Sequence, residues 1–277
     1  MNNTSGPIGI FDSGYGGLTV LKSIKQHLPQ YDYFYLGDNA RAPYGSRSFD
    51  VILEYSLESV KWFFKQQCPL VIFACNTASA KALRTIQQRY LPNMDASRRV
   101  LGVIRPTVEA VSQFTHTNHV GILGTIGTIT SESYPLEIHK LFPALHVFQQ
   151  ACPLWVPIVE HESFNTPGAD YFIQQDIQSL LQQDESIDTI VLGCTHYPLI
   201  YDSIRKYTPE NIALISQDNI VALSLQDYLL RHPEMETRCQ KNGATAFFTT
   251  DDTALFNKRA KIFYGKEVYA QKANLHG

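Results

Sequence analysis

No stretch of the chain is apolar over anything near the roughly 18 residues that a membrane-spanning helix requires, and the opening MNNTSGP lacks the basic segment and apolar core of a secretory leader. Both absences point to a soluble cytoplasmic protein with no membrane partner. Blocks of like charge are missing too: 23 Lys plus Arg stand against 26 Asp plus Glu, mixed along the chain. Nothing in that pattern would track a polyanion, so nucleic acid is not expected as a ligand. Cysteine is sparse and odd in number, five in 277 residues, without the dense spacing of a disulfide scaffold. Cys68, Cys75, Cys152, Cys194 and Cys239 therefore read as reduced thiols. The nine histidines make no recognisable ligand spacing with them, and no metal site is expected. The glycine-rich loop Asp12-Ser13-Gly14-Tyr15-Gly16-Gly17 has neither the Gly-Lys-Ser/Thr ending of a phosphate loop nor dinucleotide spacing.

What is present is alternation. Apolar runs at 7–11, 32–36, 69–74, 100–103, 119–123, 145–149, 188–193, 211–215 and 244–248 predict strands, separated by segments of helical period. Residues 48–64 place Ile52, Tyr55, Val60 and Phe63 on one face. Residues 168–183 do the same with Ala169, Phe172, Ile173, Ile177, Leu180 and Leu181. This is the pattern of an α/β protein with mostly parallel sheets flanked by helices, and the length exceeds the usual single core. Two lobes are expected, residues 1–98 plus 209–277 forming the first and 99–208 the second.

Two pairs of segments suggest that the lobes are related. IGIFDSGYGG, from Ile8, resembles VGILGTIGT, from Val120. VIFACNTASA at 71–80 resembles IVLGCTHYPL at 190–199, each an apolar strand ending on a cysteine, with two hydrogen-bonding residues before a predicted helix. Any two βα units look alike at this level, yet the offsets of the two pairs nearly agree. In parallel sheets, ligands bind beyond the carboxyl ends of the strands, where helix N-termini also direct free N–H groups. Cys75 and Cys194 stand at such ends, where the helix dipole tends to lower a thiol pKa. If the strand ends of the two lobes face one another, the thiols meet in the cleft between them. One such cysteine suggests a nucleophile; a matched pair suggests a reaction with two faces.

The flanking residues admit two readings. Asn76, Thr77 and Thr195 suit a carboxylate, and His196 could set the protonation of a nearby thiol, but either motif alone reads sooner as caps and a core histidine. The duplication favours function. Asp12 reads as a helix cap, as a carboxylate relaying protons beside a thiol, or as one holding a ligand's ammonium group. The loop GDNARAPYG reads as a surface turn with an Asp38–Arg41 pair of little worth, or as a loop whose backbone and Tyr44 close over a small ligand. Glu160 is a possible further acid, and Cys68, Cys152 and Cys239 read as structural. Cys194 and His196 also raise a thiol hydrolase or redox protein, though residues two apart at a helix start do not face each other well and no Cys-x-x-Cys occurs.

In order along the chain, FDSGYGGL, GDNARAPYG, ACNTASA, GTIGTITS, VPIVE and GCTHYPL resemble the glutamate racemases, the cofactor-independent branch of the aspartate/glutamate racemase superfamily. The likeness covers nearly the whole chain. It implies two pseudo-symmetric α/β lobes with the active site in the cleft between them. It implies interconversion of L- and D-glutamate for peptidoglycan synthesis, no cofactor, and commonly a homodimer. Carried onto matching positions, Cys75 and Cys194 are the acid/base thiols, assisted by Asp12 and His196, with Glu160 an acid near the second thiol. Substrate contacts are implied at Asp12, Ser13, Pro43, Tyr44, Gly45, Asn76, Thr77, Thr125, Thr195 and His196. The alternatives are a racemase for aspartate or a hydantoin in the same superfamily, and a non-catalytic amino-acid sensor.

Overall fold

The computed structural model describes residues 5–275. Its strands are β1 (Ile8–Asp12), β2 (Tyr33–Gly37), β3 (Leu70–Phe73), β4 (Arg99–Gly102), β5 (His119–Gly124), β6 (His146–Ala151), β7 (Thr189–Gly193), β8 (Ala213–Ile215), β9 (Thr245–Thr249) and β10 (Ala270–Lys272). They form two sheets, ordered β10-β9-β2-β1-β3-β4 and β6-β5-β7-β8, and every pairing is parallel.

The segment β2-β1-β3-β4 repeats the order β6-β5-β7-β8. The duplication read in the sequence is therefore architectural: β1 answers to β5 and β3 to β7, and a cysteine stands beyond the end of β3 and of β7 alike. Sheet membership corrects the expected lobe limits, since β4 pairs with β3 in the first sheet and β8 with β7 in the second. The limits at 98/99 and 208/209 cut on the wrong side of both strands. Apolar runs mark where a strand is, whereas the partner it joins is decided by a crossover that leaves no local signal.

All nine predicted strands form, and β10 is the one the pattern missed. Its sequence, Ala-Gln-Lys, is short, polar and at a sheet edge, as edge strands tend to be. Inner strands are apolar on both faces because helices cover both faces of a parallel sheet. Ile8, Ile10 and Ile72 belong to one layer of core, while Phe11, Val71 and Phe73 face Ile52, Val60 and Phe63 of the helix Phe49–Lys65 on the other. That helix begins at Ser48, whose hydroxyl accepts the Val51 N–H. The helix Pro167–Leu181 is capped by Thr166 and starts on proline; of its expected face, Phe172 is 40% exposed at the margin of the buried stripe.

One core cluster runs from Ile8 and Ile10 through Leu18 and Leu21 of the helix Gly17–His27 and Val221 and Leu225 of the helix Gln217–Arg231. It reaches Ile190 and Leu192 of the second sheet. The lobes thus share apolar packing behind the cleft, which holds their strand ends in a common place. Among the described residues no helix is long and apolar enough to cross a membrane.

Candidate active site

The carboxyl ends of β1 and β3 from one sheet and of β5 and β7 from the other meet at a cavity of about 150 Å³. The first lobe contributes Ser13, Pro43, Tyr44, Gly45, Cys75, Asn76 and Thr77; the second contributes Thr125, Glu160, Cys194, Thr195 and His196. Both thiols, from two sheets, line a single space. A larger cavity of about 500 Å³, beside the helix Ile104–Val111 and the helix Gln217–Arg231, contains neither thiol. The convergence of titratable groups, rather than volume, marks the smaller one. Among the described residues no three of His, Cys, Asp and Glu converge as metal ligands would.

Of the site residues expected from the sequence, Asp12 alone is absent from this wall. It is fully buried behind it, accepting the Gly14 N–H at 2.9 Å and the Thr195 hydroxyl at 3.4 Å. Asp12 therefore ties the glycine loop of one lobe to the turn after β7 of the other. Ser46, Ile126, Pro153, Val156 and Pro157 complete the wall and were not foreseen. Four of those five are apolar, and an apolar residue in a loop gives no signal that separates a pocket wall from core.

Cys75 takes the cap position of the helix Asn76–Lys81 and donates its S–H to Ser13 Oγ at 3.5 Å. The expectation that a helix start would lower its pKa is overturned. Burial first, then the neighbouring Asp12 charge, push this thiol up to about 12, against its hydrogen bond with Ser13 and the one from the Ala78 N–H. A buried group gains less from the dipole than it loses with its water. At neutral pH Cys75 holds its proton.

The second thiol sits at a bend and is followed by a turn, then the 3₁₀ segment Tyr197–Ile200 and the helix Tyr201–Tyr207. Because no helix begins at Cys194, His196 folds back. Its Nδ1 lies 3.9 Å from Cys194 Sγ and its Nε2 lies 3.0 Å from Glu160 Oε1. The argument that residues two apart cannot face one another holds for a helix and fails for this turn. Burial opposes charge on the ring, but the hydrogen bonds to Cys194 and Glu160 outweigh it and raise His196 to about 10. The Glu160 carboxyl, although buried, is held below its usual range by the same partner. The ring is thus an imidazolium at neutral pH, donating to sulfur on one side and carboxylate on the other. Glu160→Gln is expected to lower the ring's titration by at least about one unit. NMR titration of the ring would check this, and an unmoved midpoint would mean that Glu160 does not hold the charge.

The loop after β2 is no loose turn. Asp38 is fully buried and accepts from Arg41 Nε at 2.8 Å, from the Thr250 hydroxyl at 2.8 Å and from the Tyr44 hydroxyl. Arg41 also pairs with Glu58 and lies 4.0 Å over the Tyr55 ring. The Asp38–Arg41 contact, a minor surface pair on one of the two readings of this loop, is therefore a buried anchor. With its hydroxyl spent on Asp38, Tyr44 offers the cavity its ring, and Gly45 offers backbone. Across the cleft, Thr77 Oγ1 and Thr125 Oγ1 are 2.9 Å apart and the Gly127 N–H donates to Gly45 O at 2.7 Å. These bonds join the lobes over the cavity.

Residues 8–220 match the family model for Asp/Glu/Hydantoin racemase. The chain belongs to this family. Its relatives include the glutamate racemase of Roseobacter denitrificans, 38% identical, with 94% of this chain and 97% of that protein covered. Among solved structures, a glutamate racemase isoform from Bacillus anthracis superposes with a TM-score of 0.88 at 33% identity, with 98% of each chain covered. The glutamate racemase of Francisella tularensis, solved with D-glutamate, gives 0.87 at 32% identity over 98% of each chain. As a member of this racemase family the protein is an isomerase, and the two-lobed α/β architecture agrees with these structures.

Proposed function

We propose that the protein interconverts L- and D-glutamate by moving one proton at the α-carbon between two thiols. The observation that carries this reading is the placement of Cys75 and Cys194 at matching strand ends of the two lobes, on one cavity. The choice of glutamate rests on full-length likeness to glutamate racemases, one of them solved with D-glutamate.

Inversion must remove an α-proton from one face and return a proton to the other. Cys75 begins as the thiol that delivers. Cys194, beside the His196 imidazolium, begins as the acceptor: its sulfur takes the α-proton, breaking the C–H bond, while the Cys75 S–H passes its proton to the opposite face. The roles are then exchanged, and the other enantiomer runs the sequence in reverse. No covalent bond to substrate forms and no added group is required. Charge that develops on the α-carboxylate is met by the Thr77 hydroxyl, the Asn76 amide and the first N–H groups of the helix Asn76–Lys81, as in an oxyanion hole. Asp12 acts from behind, fixing Thr195 and the glycine loop.

Cys194, His196 and Glu160 on their own would also suit a thiol hydrolase. That reading leaves the second thiol on the same cavity without a task. The reducing cytoplasm, where free thiols persist, is the compartment proposed for the enzyme. D-glutamate for peptidoglycan is its proposed product and a homodimer, as the family resemblance implies, its working form.

The test is circular dichroism of the protein with L-glutamate in heavy water, followed by mass spectrometry of the product. Loss of optical activity with deuterium at the α-carbon is expected. Inertness toward glutamate alongside turnover of aspartate or a hydantoin would move the substrate, and binding without any turnover would leave a sensor.

A further inference from the structure

Asn76 lines the cavity, but its amide is oriented by residues that do not. Asn76 Nδ2 donates to Gln217 Oε1 at 2.6 Å, Gln217 Nε2 donates to the Tyr134 hydroxyl at 2.5 Å, and that hydroxyl donates to Asn76 Oδ1 at 2.8 Å. The three side chains close a ring, all of them buried. Asn76 comes from the first lobe, Tyr134 from the helix Ser133–Leu141 that follows β5, and Gln217 from the helix that follows β8.

An amide can be reversed end for end, so something must choose its sense. Here a single backbone carbonyl does. The Thr107 hydroxyl donates to Val103 O at 2.8 Å, so its oxygen can only accept, and it accepts the other Gln217 N–H at 2.8 Å. Gln217 must therefore turn its nitrogen to Thr107 and Tyr134 and its oxygen to Asn76. Asn76 must then present nitrogen to Gln217 and oxygen to Tyr134. One hydrogen on Asn76 Nδ2 makes no bond among the described residues, and it is a donor. Were the amide reversed, an acceptor would stand in its place, repelling a carboxylate and favouring an ammonium group.

We propose that Gln217 and Tyr134 are positioning residues that fix the Asn76 amide as a hydrogen-bond donor toward the substrate carboxylate. Neither touches substrate. The proposal rests on the glutamate reading above and deepens it, because it gives the polarity of one wall of the site a specific cause. It also makes the recognition of the carboxylate depend on both lobes being in register, since the ring closes only across the cleft.

The test compares wild type with Tyr134→Phe, Gln217→Met and the double variant, following D-glutamate binding by calorimetry, kcat and KM in both directions, and thermal melting. Tyr134→Phe removes one oxygen and keeps the ring volume, so it remains informative if the glutamine variant folds poorly. Each single variant is expected to raise Kd and KM about tenfold, the effect of losing one well-placed hydrogen bond to a charged group, with kcat changed by less. The double variant is expected to match the weaker single variant, because a ring is broken once. A purely structural role would lower the melting temperature and leave Kd alone, and that result overturns the proposal. So does a double variant whose losses multiply, since it makes the two residues independent. Wild type that neither binds nor turns over glutamate would overturn the underlying reading instead, and would be seen before any variant is compared.

Discussion

Cys75→Ser and Cys194→Ser are each expected to reduce racemisation by about 10³-fold or more, the scale of losing a positioned acid or base. A serine hydroxyl occupies nearly the same space, yet it neither accepts nor releases a proton at neutral pH as a thiol does. Both side chains are almost wholly buried at the cavity wall, so the exchange of sulfur for oxygen should leave melting little changed. The two variants are not equivalent. In Cys75→Ser the surviving thiol can still exchange the α-hydrogen of whichever enantiomer presents it to Cys194, without inversion. In Cys194→Ser the exchangeable enantiomer is the other one. Deuterium uptake by L- and D-glutamate, followed separately by mass spectrometry, reads this directly. Combining both changes should cost little more than either alone, because the thiols act as a unit. Near-normal turnover in either single variant would end the two-thiol account.

Gly16→Ala is expected to be the next most damaging change, although residue 16 is in neither thiol's loop. A Cβ there would lie 2.6 Å from His196 Nδ1 and closer still to Thr195 Oγ1. Neither neighbour can simply yield. Thr195 is held by Asp12, and the Thr195 carbonyl accepts from Thr19 at 3.2 Å. His196 is held by Glu160, with Phe263 edge-on at 5.3 Å. Overpacking of this kind costs about 1–3 kcal/mol of stability, and displacing the imidazole from Cys194 by a fraction of an ångström to one ångström costs about 10² in rate. Thermal melting and kcat/KM would check both parts. A stable variant with full activity would show that the glycine loop and the turn after β7 are not tightly docked.

The strands, the pairing of the lobes and the two thiols were legible because each leaves a local mark: a doubly buried strand is an apolar run, and a duplicated unit repeats it. The repeat carried more information than the lobe limits drawn from it. Four matching strands in each sheet, with β4 answering to β8, assign both strands to the sheets they join. The side chains that orient the wall were not legible. Gln217 opens an ordinary-looking helix and Tyr134 sits in another, far from Asn76 in sequence, and only the fold brings them within hydrogen-bond distance. The direction of the Cys75 shift was misread for a related reason. A helix start is visible in sequence, whereas the loss of water around the sulfur and the approach of Asp12 are tertiary facts. Asp38 and Arg41, three residues apart, could be read as a surface pair because the walls that bury them, at Glu58 and Thr250, come from elsewhere.

The order β10-β9-β2-β1-β3-β4 means that the first sheet is finished by strands made after the whole second sheet. During synthesis the four-stranded sheet is complete once Ile215 has emerged, and its cysteine is in place. At that stage the outer edge of β2, Tyr-Phe-Tyr-Leu, has no neighbour, because β9 at Thr245–Thr249 does not yet exist. An unpaired apolar edge of that kind is a template for pairing with another chain. The nascent protein therefore passes through an interval in which one half is ready and the other is exposed to aggregation, and the speed at which residues 216–249 are added sets how long that interval lasts.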